Sequence, residues 1–495
     1  MKHIKQVGII ILLSISASLS YAQITYNILN YGAVKNDTGK LSTNAINKAI
    51  MVCNGKGGGR VVIPAGSYRS GTIMMLNNVE LYLENGAILY ASTDHKDFPK
   101  QKRPAYRSQK DAGGWYALIY AESANHISIT GKGTIDGQGA RQLPRPNPLN
   151  GDLDGRPRSI LFISCNNVTV EGINMVSSGI WNQHYLNCED VNVKGIYVFN
   201  HSTRNNDGID IDDCRRFTLS DCVIDSDDDG IVLKSTGSAG CEDITISNCI
   251  VSSFCNAIKC GTESTGGFKN ITVSNCVIKP SRNKEMPHYG QAMGVSGISL
   301  IIVDGGVMNG ININNIVIEG TQCPIYVRLG NRARKHIDTA PLPGIGTMKN
   351  IQISNINAYN TGNYGSSITA VNGAVIENIT LNNIQLNNQG GLEPGTFIES
   401  AANVSEAAAG YPQPTVWGNL PGYGLFIRNV KNINLSGIIL TSLAPETRTP
   451  VIAVNADNIW MSNLKTDRSK QQTELQFSGV TNYRSDVAYQ VETLH

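Results

Sequence analysis

RRFTLSDCVI (215–224), EDITISNCIV (242–251) and KNITVSNCVI (269–278) repeat one frame at intervals of 27 residues. In each, apolar residues alternate with hydroxyl residues, which is strand period, and the alternation breaks at a Ser-Asp/Asn-Cys step. Working outward, related units begin at Asn125 (NHISITGKGTI), Asn166 (NNVTVEGINM) and Glu189 (EDVNVKGIYV). Beyond the central three they continue from Asn309, Lys349, Glu377, Lys431 and Asp457. The first apolar residues Val168, Val191, Phe217, Ile244 and Ile271 are 23, 26, 27 and 27 residues apart. A fixed period of that size is the mark of a solenoid. Strands of three to five residues between Asn, Gly and Ser turns exclude a helical one. The spacing therefore predicts an all-β chain, a single right-handed parallel β-helix domain in which each coil covers its neighbour's core. Gaps of 40 (271 to 311, 311 to 351) and 54 (379 to 433) predict coils that carry long loops.

Several further readings follow from the same frame. Cys222, Cys249 and Cys276 occupy one position in three successive coils, so they read as a buried stack rather than a disulfide framework or a metal site. Eleven cysteines is an odd number, and a disulfide elsewhere stays open. Leu41–Cys53 is the good amphipathic helix of the chain, with Ala45, Ile46, Ala49, Ile50 and Cys53 as its apolar stripe and Ser42 or Thr43 as its cap. It is expected to close the first coil and to do no chemistry.

Composition narrows the function. The chain of 495 residues is long enough for about three ordinary domains, which the repeat replaces with one. With 41 Lys+Arg against 39 Asp+Glu it lacks the basic excess of a nucleic-acid binder. Met1–Ala22 has Lys2 and Lys5, an apolar run from Val7 and the small-x-small Ser20-Tyr21-Ala22, the pattern of a secretory signal peptide. Residues 23–495 are then the mature β-helix, exported, not membrane-bound and expected to act as a monomer.

The candidate chemistry sits on three consecutive coils. Residues 205–212 read NNDGIDID, 227–234 read DDDGIVLK and 254–261 read FCNAIKCG. Aligning Ile209, Ile231 and Ile258 places Asp207, Asp229 and Asn256 at one ladder position, with Asp228 beside it. Neighbouring rungs lie about 4.8 Å apart. Carboxylates that close raise one pKa or recruit a cation, and the first outcome pairs a protonated general acid with an ionised base. Asp210, Asp212, Asp213, Asp221 and Asp225 read as turn and surface residues. His184, His201 and His288 stand alone in sequence and read as structural.

At these residues the chain resembles glycoside hydrolase family 28, the polygalacturonase-like pectin hydrolases. Asn205-Asn206-Asp207 matches the family's Asn-x-Asp, and Asp228-Asp229 its Asp-Asp pair. YGAVKND at Tyr31, VVIPAGSY at Val61, GTIDGQG at Gly133 and SSGIWNQH at Ser177 extend the likeness over about residues 26–464. The resemblance implies an inverting hydrolase without metal or cofactor. Asp228 would be the general acid, Asp207 and Asp229 would activate the water, and Asn205 would orient the site.

Two departures concern the substrate. Cys255-Asn256-Ala257 stands where polygalacturonases carry Gly-His-Gly, and Ser299 and Ile301 stand where they carry Arg and Lys to grip a galacturonate carboxylate. Lys234, Lys259 and Arg328 are the candidate replacements. Lys234 is placed in the ladder position of Asp212, and Lys259 one coil further. The missing histidine resembles the rhamnogalacturonan-hydrolase branch. Long inserts at 95–115, 140–158 and 388–424, with Trp115 and Trp417, would either wall the cleft or pack on the solenoid. Two other functions compete. A Ca²⁺-dependent pectate-lyase-like enzyme would use the acidic cluster for metal, and a non-catalytic carbohydrate-binding β-helix would have no need of it.

Overall fold

The second-sheet row Val168–Val191–Phe217–Ile244–Ile271 is a register of directly paired residues. It continues through Ile311, Ile351, Ile379, Ile433 and Ile459, so the wide gaps in sequence are loops between adjacent rungs. The computed structural model describes residues 24–110, 115–141, 156–288, 290–468 and 472–494. The predicted signal peptide and most of the 140–158 insert (142–155) lie outside the described residues. Every strand pairing among the described residues is parallel, and the chain is a right-handed β-helix.

One coil shows how it is built. Gln183–Leu186, Glu189–Lys194 and Tyr197–Asn200 form three short strands, one in each of three sheets. The next coil places Ile209–Asp212, Arg215–Ser220 and Val223–Ser226 directly upon them. Corners are made by residues in left-handed backbone conformation, where Asn and Asp are tolerated. Asp221, Asn248, Asn275, Asn315 and Asn355 have φ of 54–59°. Their side chains link coil to coil: Asn248 Nδ2 donates to Asp221 Oδ1 (3.2 Å) and Asn315 Nδ2 to Asn275 Oδ1 (2.9 Å). The recurring Asp/Asn before Cys is this corner.

The cysteine after each corner points inward. Cys222, Cys249 and Cys276 are buried, and a second stack of Cys165, Cys188, Cys214 and Cys241 lies behind the first corner of each coil. All eleven thiols are free and buried, so the disulfide left open by the count is not formed. Native protein is therefore expected to react with an aromatic disulfide reagent only on unfolding, when all eleven thiols appear together. Rapid reaction of the folded protein would contradict the stacked core.

The helix spans Thr43–Gly55 and buries the predicted stripe of Ala45, Ile46, Ala49, Ile50 and Cys53 against the first coil. Its cap differs from expectation. Ser42 holds the N-cap position without a side-chain bond, and Thr43 Oγ1 instead accepts from Gly71 N (2.8 Å), tying helix to solenoid. No described helix is long and apolar enough to cross a membrane.

Candidate active site

The acidic residues gather at the N-terminal ends of the first-sheet strands. Ile209, Ile231, Ile258 and Ile298 are in register and buried, which stacks Asp207, Asp229, Asn256 and Ser296 two residues upstream. Backbone bonds fix the stack: Gly208 N donates to Asp229 O (2.8 Å) and Gly230 N to Asn256 O (2.9 Å). A Cβ on Gly230 would stand 2.6 Å from Ala257 O, so the Asp-Gly step is what allows the coils to close here. Ser253 Oγ bonds the carbonyl of Asp228 (2.6 Å), and Ser226 Oγ those of Asp228 (2.9 Å) and Asp229 (3.1 Å).

Each carboxylate has a different environment. Asp229 accepts from Lys259 Nζ (2.8 Å) and Asn256 Nδ2 (2.6 Å). Burial works against its ionised form, but Lys259 and Lys234 outweigh it and hold the pKa below the ordinary range. Asp228 accepts from its neighbour's amide (Asp229 N, 3.0 Å) and weakly from Asn205 Nδ2 (3.4 Å). No Lys or Arg among the described residues is within ion-pair distance of it. Burial and the charge of Asp229 push Asp228 up to about 6. Burial also raises Asp207 well above the ordinary range, reinforced by Asp210 and Asp228.

Lys234 joins Asp207 to a fourth carboxylate. Its Nζ lies 3.5 Å from Asp207 Oδ2 and 3.4 Å from Asp210 Oδ1. Both lysines point outward by strand alternation, yet Lys234 is 5% and Lys259 2% exposed. Lys259 pairs with Val232, in the row of Asp210 and not in that of Lys234. That offset brings it onto Asp229. Asp210, read from sequence as a turn residue, is wholly buried and belongs to the site. The turn acids Asp212, Asp213 and Asp225 are buried as well, and Asp212 and Asp225 pair with histidines.

Asn205 is brought in as expected. Arg156 Nη2 donates to its Oδ1 (3.1 Å) and Arg156 Nη1 to Arg204 O (2.6 Å), so a residue not singled out in sequence aims the amide at Asp228. Ser299 is not a bare loss of charge either. Its hydroxyl meets Ser296 Oγ (2.6 Å), and Ser296 donates to Asn256 Oδ1 (2.7 Å), which turns the Asn256 amide toward Asp229. Arg328 is not brought to the carboxylates. It bonds Thr369 and the carbonyls of Glu406 and Ala407, under the Trp417 ring at 5.0 Å.

The inserts fold over this face. Gln109 N donates to Thr236 O (2.8 Å), and Lys110 pairs with Glu263 (3.0 Å), so the first insert crosses several coils. Trp115 is buried in an apolar cluster with Tyr120, Leu161, Ile163 and Leu186 of the solenoid strands, so it presents no ring to a sugar. From the last insert Tyr411, 46% exposed, takes its place beside Thr262 (3.3 Å) with its ring 5.8 Å from Lys259 Nζ. Trp181 lies 4.7 Å from Lys234 and 5.1 Å from the buried Arg158 guanidinium. The histidines are not isolated: His184 meets Asp212 (3.0 Å), His201 meets Asp225 (2.9 Å) and His288 meets Asp227 (3.4 Å).

Comparison with known proteins shows the family and the fold. A family model described as glycosyl hydrolases family 28 matches residues 53–407. A probable polygalacturonase of Vitis vinifera is 29% identical over 253 residues, 46% of this chain and 51% of that protein. The chain spans about half the length of the curated relatives it matches. Among solved structures, a family 28 exopolygalacturonase of Yersinia enterocolitica superposes with a TM-score of 0.60 at 18% identity, covering 93% of this chain and 78% of that one. A hyperthermoactive exopolygalacturonase from Thermotoga maritima gives 0.59 at 20% identity, over 74% and 87%. At such identities the superpositions speak for the fold.

Proposed function

Because the chain belongs to glycosyl hydrolases family 28, we propose that it hydrolyses glycosidic bonds of a pectic polysaccharide with inversion at the anomeric carbon. Asp228 protonates the departing glycosidic oxygen. Asp229, with Asp207 beside it, holds and deprotonates the water that attacks from the other face of the ring. The observation that carries this reading is the asymmetry of the adjacent pair. Lys259 sits 2.8 Å from Asp229, whereas no Lys or Arg among the described residues is within ion-pair distance of Asp228, which keeps its proton in weakly acidic solution. One carboxyl is thereby set as acid and its neighbour as base. Asn205 orients Asp228, and no bound cofactor is needed for either proton transfer.

The substrate reading follows from which bases are occupied. Lys259 is committed to Asp229, and Arg328 to backbone carbonyls. The Ser299 hydroxyl is fully buried in the Asn256 network. The positions that would grip a carboxylate next to the scissile bond therefore offer none of the charge-assisted bonds it requires. This favours a neutral sugar there, as in the alternating rhamnose and galacturonate of rhamnogalacturonan, over homogalacturonan. The signal-like start of the sequence supports action outside the cytoplasm, and we take the acting form to be the monomer.

The test is incubation with homogalacturonan and with rhamnogalacturonan, recording new reducing ends and the absorbance of unsaturated uronides together. Reducing ends without absorbance, faster on rhamnogalacturonan, are expected. Absorbance abolished by a chelator would replace hydrolysis with metal-dependent elimination, and neither signal on either polymer would leave a binding protein.

A further inference from the structure

A cleft of about 1030 Å³ opens on the N-terminal coils, outside the carboxylate cluster. Arg69 and Arg141 supply two cations to its wall, Tyr90 an aromatic ring, and Gln138, Ser177 and Ser202 neutral hydrogen-bonding groups. Neither arginine forms an ion pair among the described residues. Arg69 donates to Gly39 O (3.0 Å) while its Nε is buried without a partner, and Arg141 donates to Gln138 Oε1 (3.3 Å). The carboxyl of Asp136 shares the wall; burial raises its pKa, so its opposition to an anion weakens in weakly acidic solution.

The cleft lies on the same row of turns as Asp228. Tyr90, Asp136, Val176, Phe199 and Asp225 are consecutive rungs of the third sheet. The turns that follow them are bonded in series. Gly139 N donates to Ser177 O (2.7 Å), Ser202 Oγ to Ser178 O (2.7 Å) and to Asn206 Oδ1 (3.1 Å), and Asp228 N to Asn206 O (3.4 Å). From the rung of Asp136 to that of Asp225 is three steps, about 14 Å. That is the reach of a short oligosaccharide rather than of one sugar.

We propose that this cleft is a distal subsite that takes a carboxylated sugar of the same polysaccharide chain, with Arg69 and Arg141 holding the carboxylate and Tyr90 lying against the ring. The inference rests on the pectic reading of the adjacent site and adds where an acidic sugar is recognised. A neutral sugar is accepted beside the scissile bond, and the uronate is read several rungs away. Affinity then depends on chain length, and charge is sensed remotely from the chemistry.

The test measures binding by calorimetry in the full-length Asp228→Asn protein, with and without Arg69→Met and Arg141→Met. The ligands are a rhamnogalacturonan hexasaccharide, a rhamnogalacturonan disaccharide and the carboxyl-reduced hexasaccharide. Binding of the hexasaccharide is expected to weaken about tenfold with each substitution, as for loss of a charged hydrogen bond. The disaccharide and the reduced hexasaccharide should be unaffected. Arg141 is exposed, so Arg141→Met alone keeps the test readable if the half-buried Arg69 proves necessary for folding. Undiminished hexasaccharide binding by both folded variants would overturn the subsite and leave the pectic reading standing. Failure of the parent to bind either rhamnogalacturonan ligand would overturn both.

Discussion

Asp228→Asn is expected to lower kcat on the pectic polymer about 10³-fold, in the range of a lost general acid, with little change in KM. Asn keeps the size and the acceptor oxygen that Asp228 offers to the amide of Asp229, so the turn survives. What is lost is the proton for an alkoxide leaving group. The deficit should therefore shrink on an aryl glycoside, whose phenolate leaves without protonation. The pH profile supplies an independent sign. Asp228 must be protonated to act, and its pKa is pushed up to about 6, so wild-type kcat/KM falls as pH rises through that value. Asp229 must be ionised and is held below the ordinary range, so activity is kept to lower pH. In Asp228→Asn the alkaline limb should disappear. If that limb survives unchanged, the acid is another group, and Asp210, at about 7, is the candidate.

The fold was legible because its information repeats. A residue's place in a coil can be read from the copies above and below it, which is why the stacking of Asp207, Asp229 and Asn256 emerged from spacing alone. Burial of the same residues was not legible. Lys234 and Lys259 point outward by alternation, and outward normally means solvent. They are buried because residues 101–110 and 388–424 fold back over the face from distant points in the chain, and those inserts have no period to read. Tyr411 was missed for that reason, and Arg156, in the 140–158 insert, because that stretch has no period either. Ser299 was read only in part: against a family pattern it was an absent charge, and in space it is also part of the network that orients Asn256. Lys259 was placed by coil and not by residue within the coil. A shift along the strand is enough to separate a row that meets Asp207 from one that meets Asp229.

Lys234→Met is expected to be the most destabilising single change at the site, costing about 3–5 kcal/mol at neutral pH. It leaves Asp207 and Asp210 buried without a compensating charge. Burial raises Asp210 to about 7 even with Lys234 present, against an ordinary value of about 3.9 in the unfolded chain. Between those values the folded protein binds more protons than the unfolded one. The associated stability is complete in acid and is lost as pH rises toward the folded pKa. Removing the cation raises that pKa further and extends the loss to higher pH. Urea unfolding should thus show a small deficit for Lys234→Met near about pH 4, where both carboxyls are protonated in either protein, and the full deficit near about pH 8. Asp210→Asn added to Lys234→Met should recover most of it, since one buried charge is then removed at its source. The Lys234 ammonium also packs over Trp181, with Nζ 4.7 Å from the ring centroid. An equal deficit at both pH values, without recovery in the double variant, would assign the loss to that packing. The carboxylates would then have to be compensated by Arg158, the remaining buried cation whose charge reaches both of them.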